Sequence, residues 1–360
     1  MQKNIQLRNN EEYRIIVELK SNEGGFGLSV MKLVNRTLPF LFARVAIYGL
    51  FVIAALIFLA IMIGIGFLLL KIFGESSAAF LIVMLLAFSV IYGGLRFLER
   101  YVLYMVKVAH ISVVVELLKT GTIPEGKGQI AYGKEQVKQN FGSANVAFVV
   151  DKAIHGAVKQ IQRWTLCVGE AFSFVPGAKN IIGILNAIMS VSLNYIDEAV
   201  VSYIILRKNE KREETVWKSA SDGVVLYAQS WKGILKTATG AVAGIYAFSI
   251  ITFLVFALPF MGISKLISAN TPGLGTFLGF IALVGAYVFT VAIKRALVDP
   301  IVTIAMVRSY QMSITGLEPA MDLQQKLLGV SSRFRKLFEK GKEAEAGAAL
   351  VETKPVEVPT

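Results

Sequence analysis

"NYIDEAVVSYIILRKNEKREE", residues 194–214, is the stretch on which the fold of this chain turns. Adjacent carboxylates, Asp197 and Glu198, close an uncharged run that begins at Ile181, and after Leu206 the chain breaks into a block of charges. Two readings of the pair follow. Inside a bilayer a carboxylate is costly, so it faces a protein interior or an aqueous cavity. Tyr195 and Tyr203 would then complete a cation site built of charge and aromatic faces. At headgroup depth, by contrast, both carboxylates are hydrated and pair with Arg207 or Lys208. The second is the expectation, with Asp197, Glu198, Tyr195 and Tyr203 kept as candidate pathway residues.

Working outward, 55% of the 360 residues are hydrophobic and 17% charged, against about 25% charged in soluble domains. The deficit lies in a few long runs, as expected when lipid replaces water as solvent. Residues 45–70, "VAIYGLFVIAALIFLAIMIGIGFLLL", carry no charge, and 77–95, "SAAFLIVMLLAFSVIYGGL", follow after a short connection. Residues 240–263 and 273–293 form a second such pair across "SKLISANTPG". Short connections imply two antiparallel hairpins, hence about four full transmembrane helices.

The net charge is +12, with Lys and Arg clustered beside the apolar runs. Basic loops flanking apolar spans face the cytoplasm and anionic headgroups rather than nucleic acid. Both hairpins then start and end inside, which places both termini in the cytoplasm of a multi-pass cell-membrane protein. The charged first forty-odd residues argue against a cleavable signal peptide. If 181–206 crossed the membrane once, the basic regions before and after it would lie on opposite sides. A re-entrant or interfacial segment avoids this, and Gly183 and Ser190 allow a bend.

The chain is thus expected to divide into a cytoplasmic N-terminal segment (1–44), transmembrane hairpin A (45–95) and a basic cytoplasmic or interfacial region (96–180). A partly inserted apolar segment (181–206), a cytoplasmic loop (207–239) and transmembrane hairpin B (240–298) follow. Amphipathic, basic interfacial helices (299–342) and a disordered tail (343–360) complete it.

The hairpins have the marks of a parallel internal repeat. With 43–65 set against 241–263 without gaps, Ala43, Ile47, Tyr48, Ile53, Leu56, Phe58, Gly64 and Ile65 meet identical residues. "TGTIP" (120–124) and "TGLEP" (315–319) each close the helix that follows a hairpin.

Residues 145–164 place Val146, Val149, Val150, Ala153, Ile154, Ala157, Val158, Ile161 and Trp164 at helical spacing, opposite Asp151, Lys152, His155, Lys159 and Arg163. Such a helix suits the membrane interface or the wall of a cytosolic subdomain. In 320–342 an apolar stripe (Met321, Leu327, Leu328, Phe334, Leu337, Phe338) opposes Lys326, Arg333, Arg335, Lys336 and Lys340, the first four being the candidate contacts to anionic lipid. Asp299, beside Pro300, is the remaining candidate pathway residue, since an acid at a broken helix recurs in transporters. The plainer alternative pairs it with Arg295 one turn away. Gly240–Gly244 and Gly275–Gly279 are Gly-x-x-x-Gly pairs suited to helix packing or to a homo-oligomer face.

The single Cys167 excludes an intrachain disulfide, and two histidines without ligand spacing argue against a metal site. No cofactor fingerprint or catalytic motif occurs, so an enzyme is not expected.

From "SASDGVVLYAQSW" (219–231) through the second hairpin to "VDPIVTIAMV" (298–307), the order of elements resembles choline-transporter-like membrane proteins. The resemblance implies an organic-cation or lipid-related membrane role. The functional expectation is a transporter or channel-like protein for a small solute, a cation being the class suggested, and the alternative is a non-transporting scaffold or lipid-interacting protein.

Overall fold

An apolar run that is buried on one side only must show a period, whereas one enclosed on all sides need not. Residues 195–205 are all buried in the structure, their polar groups Asp197, Glu198 and Ser202 included. The computed structural model describes residues 28–73, 78–142, 144–170, 178–210, 213–268, isolated positions from 279 to 287, and 289–352. Among these residues every regular element is helical: the protein is all-α. The chain divides into two compact units, Pro39–Lys107 and the remainder.

In the larger unit, α1 (Val30–Arg36) is capped by the Ser29 side chain, which accepts from the Lys32 N–H. It is followed in the sequence by α2 (Leu38–Phe73) and α3 (Ala78–Thr120), of which the stretch from Val108 onward belongs to this unit. Then come α4 (Gln129–Phe141), α5 (Ala144–Glu170), α6 (Ala178–Glu210) and α7 (Val216–Ser268). A π-helical turn, Lys294–Val298, leads into α8 (Asp299–Ile314), and α9 (Met321–Val330) and α10 (Ser332–Glu352) end the chain's described part. The central helix is α6, which packs against α4, α5, α7 and α8.

Glu214 ties the end of α6 to the start of α7. Its carboxylate accepts from Arg207 Nε at 3.0 Å and Ser219 Oγ at 2.8 Å, while its carbonyl accepts from Lys208 Nζ at 2.8 Å. Thr215 then caps α7, its hydroxyl accepting from the Lys218 N–H.

Helix α7 has 53 residues, or about 80 Å at 1.5 Å per residue. The returning chain runs antiparallel to it. Gly279 lies against Ser264, Phe289 stacks on Phe256 with 5.5 Å between ring centroids, Thr237 donates to Ser309 at 2.8 Å, and Gln229 donates to the Glu318 carbonyl. Each step along α7 is matched by an equal step back. The expected second hairpin is therefore present as helix pairing, although its turn, 269–278, lies outside the described residues. Along α7 the surroundings change completely. Every residue from Ser219 to Tyr227 is buried, whereas Ile250, Ile251, Val255, Leu258 and Leu266 are more than half exposed.

The smaller unit holds most of α2 and the first part of α3. On α2, Leu50, Ile53, Ile57, Leu68 and Ile72 recur at helical spacing and are all more than half exposed.

Several expectations need correction. Residues 178–210 form one uninterrupted helix, so the turn that a re-entrant path requires is missing there. The tail does not begin at 343. Helix α10 continues to Glu352 because Gly341 lets it lie against the Trp217–Lys218 backbone, and Lys340 sits over the Trp217 ring at 4.6 Å. The stripe of 320–342 breaks at Ser331 into two helices, and Leu327, Phe334 and Leu337 are buried by the protein itself, with α10 on α5 and α7. On α5, Val150, Ile154, Ala157 and Ile161 enter the core while Val146 and Val149 stay exposed, which favours packing on protein over the membrane interface; Asp151, expected on the polar side, is buried. Gly240 and Gly244 face open space, so this Gly-x-x-x-Gly pair serves no contact within the described chain.

Close approach is needed at Gly133, where an added Cβ would lie 2.6 Å from the Ala109 carbonyl oxygen. Gly133→Ala should therefore destabilise the fold by about 1–3 kcal/mol. Gly240→Ala, in open space, should gain about 1 kcal/mol or less from helix propensity. Thermal unfolding of both detergent-solubilised variants checks the contrast, and equal shifts would contradict the packing described.

Candidate functional site

The structure disperses the predicted site residues into three places. Asp197 and Glu198 lie inside the body, 5% and 4% exposed, not at a hydrated helix end. Asp197 Oδ2 is 3.6 Å from His155 Nδ1 on α5, and its Oδ1 accepts from the Glu198 N–H at 3.0 Å. The expected pairing with Arg207 does not form, since that guanidinium is turned to Glu214. Nearby on α5, Asp151 is buried and pairs with Lys152 at 3.1 Å.

Tyr195 points elsewhere, donating to Asp299 Oδ1 at 2.8 Å. Lys294 Nζ donates to the same oxygen at 3.0 Å. Arg295, the expected partner, is displaced for a backbone reason. The Asp299 N–H bonds to the Lys294 carbonyl, five residues back, so the π turn brings residue i+5 over residue i. Asp299 thus joins α6 to the π turn at the point where the helix geometry changes.

Tyr203 lies at a third place, a cavity of about 270 Å³ at the end of α6. Three helices finish around it: α3 at Thr120, α6 at Glu210 and α8 at Ile314. Their termini explain the two Thr-Gly-x-x-Pro motifs. Gly121 and Gly316 both have left-handed backbone, φ +79 and +77, which glycine adopts without penalty. The Gly121 N–H caps α3 by bonding the Leu117 carbonyl, and the Leu317 N–H bonds the Ile314 carbonyl to turn the chain after α8.

The cavity is apolar along Val115, Leu118, Leu206, Ile314 and Leu317. Its polar groups are Lys119, Tyr203, Arg207, Glu210, Gln311 and Glu318. Burial raises the Tyr203 hydroxyl well above the usual phenol range, against the pull of Arg207. Of this set the sequence singled out only Tyr203 as a site residue. Glu318 was marked by the second Thr-Gly-x-x-Pro, but Lys119 and Gln311 carried no local signal.

The lipid-surface candidates Lys326, Arg333, Arg335 and Lys336 are exposed. Arg335 also holds the α9–α10 junction, its guanidinium donating to the Leu328 carbonyl at 2.8 Å. Among the described residues no group of His, Cys, Asp and Glu could hold a metal ion.

No protein-family model, curated protein or solved structure matches the chain. The geometry alone therefore carries what is inferred about the site.

Asp222, 7% exposed at the base of α7, is the group whose titration touches stability most directly. Burial pushes its carboxyl above the ordinary 3.8, opposed by Lys218 Nζ at 3.3 Å. A raised folded value means that stability is fully present below pH 3.8 and is lost as the pH rises through that folded value. Asp222→Asn should flatten this loss and leave the protein at least as stable as the native chain at about pH 7. Unfolding midpoints measured from about pH 4 to 7 check it; a variant less stable than the native chain at about pH 7 would show that the Lys218 pair outweighs burial.

Proposed function

We propose that the protein is an integral membrane protein whose apolar hairpins anchor a helical body at the cytoplasmic face, and that it works as a membrane-held binding or scaffold protein. The observation that carries this reading is the division of α7: a buried polar-studded half, then an arm whose apolar side chains are left uncovered. An exposed apolar surface of this extent needs lipid or a partner to cover it. Among the described residues, two helices are long and apolar enough to cross a bilayer, Arg96–Thr120 and Gly233–Leu266. The first is 61% buried within the protein and reads as a core helix, while the second is only 6% buried. Pro259 within α7 agrees, since an interior proline costs about 3 kcal/mol in an aqueous helix and is better tolerated in membrane helices. The exposed stripe of α2 supports a second anchor.

A scaffold role is favoured over a solute pathway through Asp197 and Glu198 because these carboxylates are enclosed by the packed body. The amphipathic helices that suggested lipid contact bury their apolar faces in protein, so only their cations remain for anionic headgroups. One observation favours transport instead. Asp299, with Tyr195 and Lys294, stands at a π turn followed by proline, a kind of helix irregularity frequent at functional sites. The resemblance to choline-transporter-like proteins points to the same residue.

Membrane fractions from expressing cells should retain the chain through alkaline carbonate washing, and release into the supernatant would refute the anchoring. In proteoliposomes, flux of small organic cations should equal that of empty vesicles. Flux above that level, abolished in Asp299→Asn, would replace the scaffold reading with the transport one.

A further inference from the structure

The cavity where α3, α6 and α8 end has the elements of a ligand site that the anchoring role does not use. Tyr203 is 8% exposed, and among the described residues its hydroxyl makes no hydrogen bond. Gln311 is 3% exposed; its Nε2 donates to Ser202 at 2.8 Å, while its Oε1 accepts nothing among the described residues. Both residues line the cavity, and these two oxygens open onto it instead of being sealed in protein, so they are available to a ligand there. Arg207 adds its terminal guanidinium nitrogens, which bond nothing described once Nε is held by Glu214.

The charges select the ligand. Lys119 and Arg207 offer two cations at the lining, and Glu210 and Glu318 two anions. Three helix C-termini converge there, and their partial negative charge favours an ammonium group. Between the charged groups the wall is aliphatic. A simple anion would meet the two carboxylates, and a simple cation the guanidinium. We propose that this cavity binds a small zwitterion with an apolar body, of the size of an aliphatic α-amino acid. Its carboxylate lies toward Arg207 and Lys119, its ammonium toward Glu318, and its side chain against Leu118 and Leu206. A volume near 270 Å³ stands at the low end of ligand pockets and suits a small molecule. This inference goes beyond the anchoring reading and does not need it, because the cavity lies outside the exposed arm.

The test is calorimetric titration of the full chain in detergent micelles with L-leucine, 4-methylpentanoate and isoamylamine. L-Leucine should bind saturably, and each analogue, lacking one charged group, should bind about tenfold or more weakly. Tyr203→Phe removes a hydroxyl that has no protein partner, so it should keep the unliganded melting temperature and weaken L-leucine about fivefold. Glu318→Gln should narrow the preference for L-leucine over 4-methylpentanoate. No binding of L-leucine, equal binding of either analogue, or an unchanged affinity in Tyr203→Phe would each overturn the assignment.

Discussion

A pair of neighbouring carboxylates on a helix enclosed by other helices sets the terms for the body of this protein. Burying a charge is expensive unless charged or hydrogen-bonding groups meet it. Asp197 and Glu198 sit in the middle of the eleven-residue stretch of α6 that is buried from Tyr195 to Ile205. Neighbouring helices must therefore be placed for their polar groups as well as for their apolar faces. His155 brings α5 to Asp197, and Ser202 and Gln311 join α6 to α8. Tyr310 reaches from α8 to the Gly223 carbonyl on α7 at 2.8 Å, where glycine leaves room for Val200 and Tyr203. The body is specific because these bonds cannot all form in another register.

The same demand shapes the junction between body and arm. An α-helical continuation into α8 would have offered Arg295 to Asp299, on the usual i, i+4 spacing. The π turn shifts the register, and Asp299 takes Lys294 and Tyr195. Beyond this point, toward the arm, α7 and its returning partner meet through Phe256 and Phe289 and turn aliphatic side chains outward. One long helix thus carries two solvation regimes, and the change falls where the polar partners end.

Much of the helical layout was legible in the residues. The runs 45–70 and 78–95 fall within α2 and α3, and the antiparallel pairing along α7 agrees with the short connection of the second hairpin. The two Thr-Gly-x-x-Pro motifs mark helix ends because glycine takes the left-handed backbone there. Amphipathy marked an apolar face on 145–164 and on 320–342; for the first both lipid and protein cover stood open, and for the second lipid was expected where protein is found. Spacing says that Leu327, Phe334 and Leu337 lie on one side; it does not say whether lipid or protein meets them. Low aromatic content suggested disorder after 343, whereas Gly341 against Trp217 supplies a contact that composition cannot contain.

What the sequence determined by itself is local: which stretches are helical, where they stop, and which faces are apolar, since these depend on neighbours within a turn or two. The tertiary structure alone decided that Asp197 meets His155, that Asp299 meets Tyr195 and Lys294, and that Lys119, Tyr203, Gln311 and Glu318 line one cavity. Those groups come from segments far apart in the chain. Their meeting depends on how helices cross and on one π turn, which residue spacing does not encode.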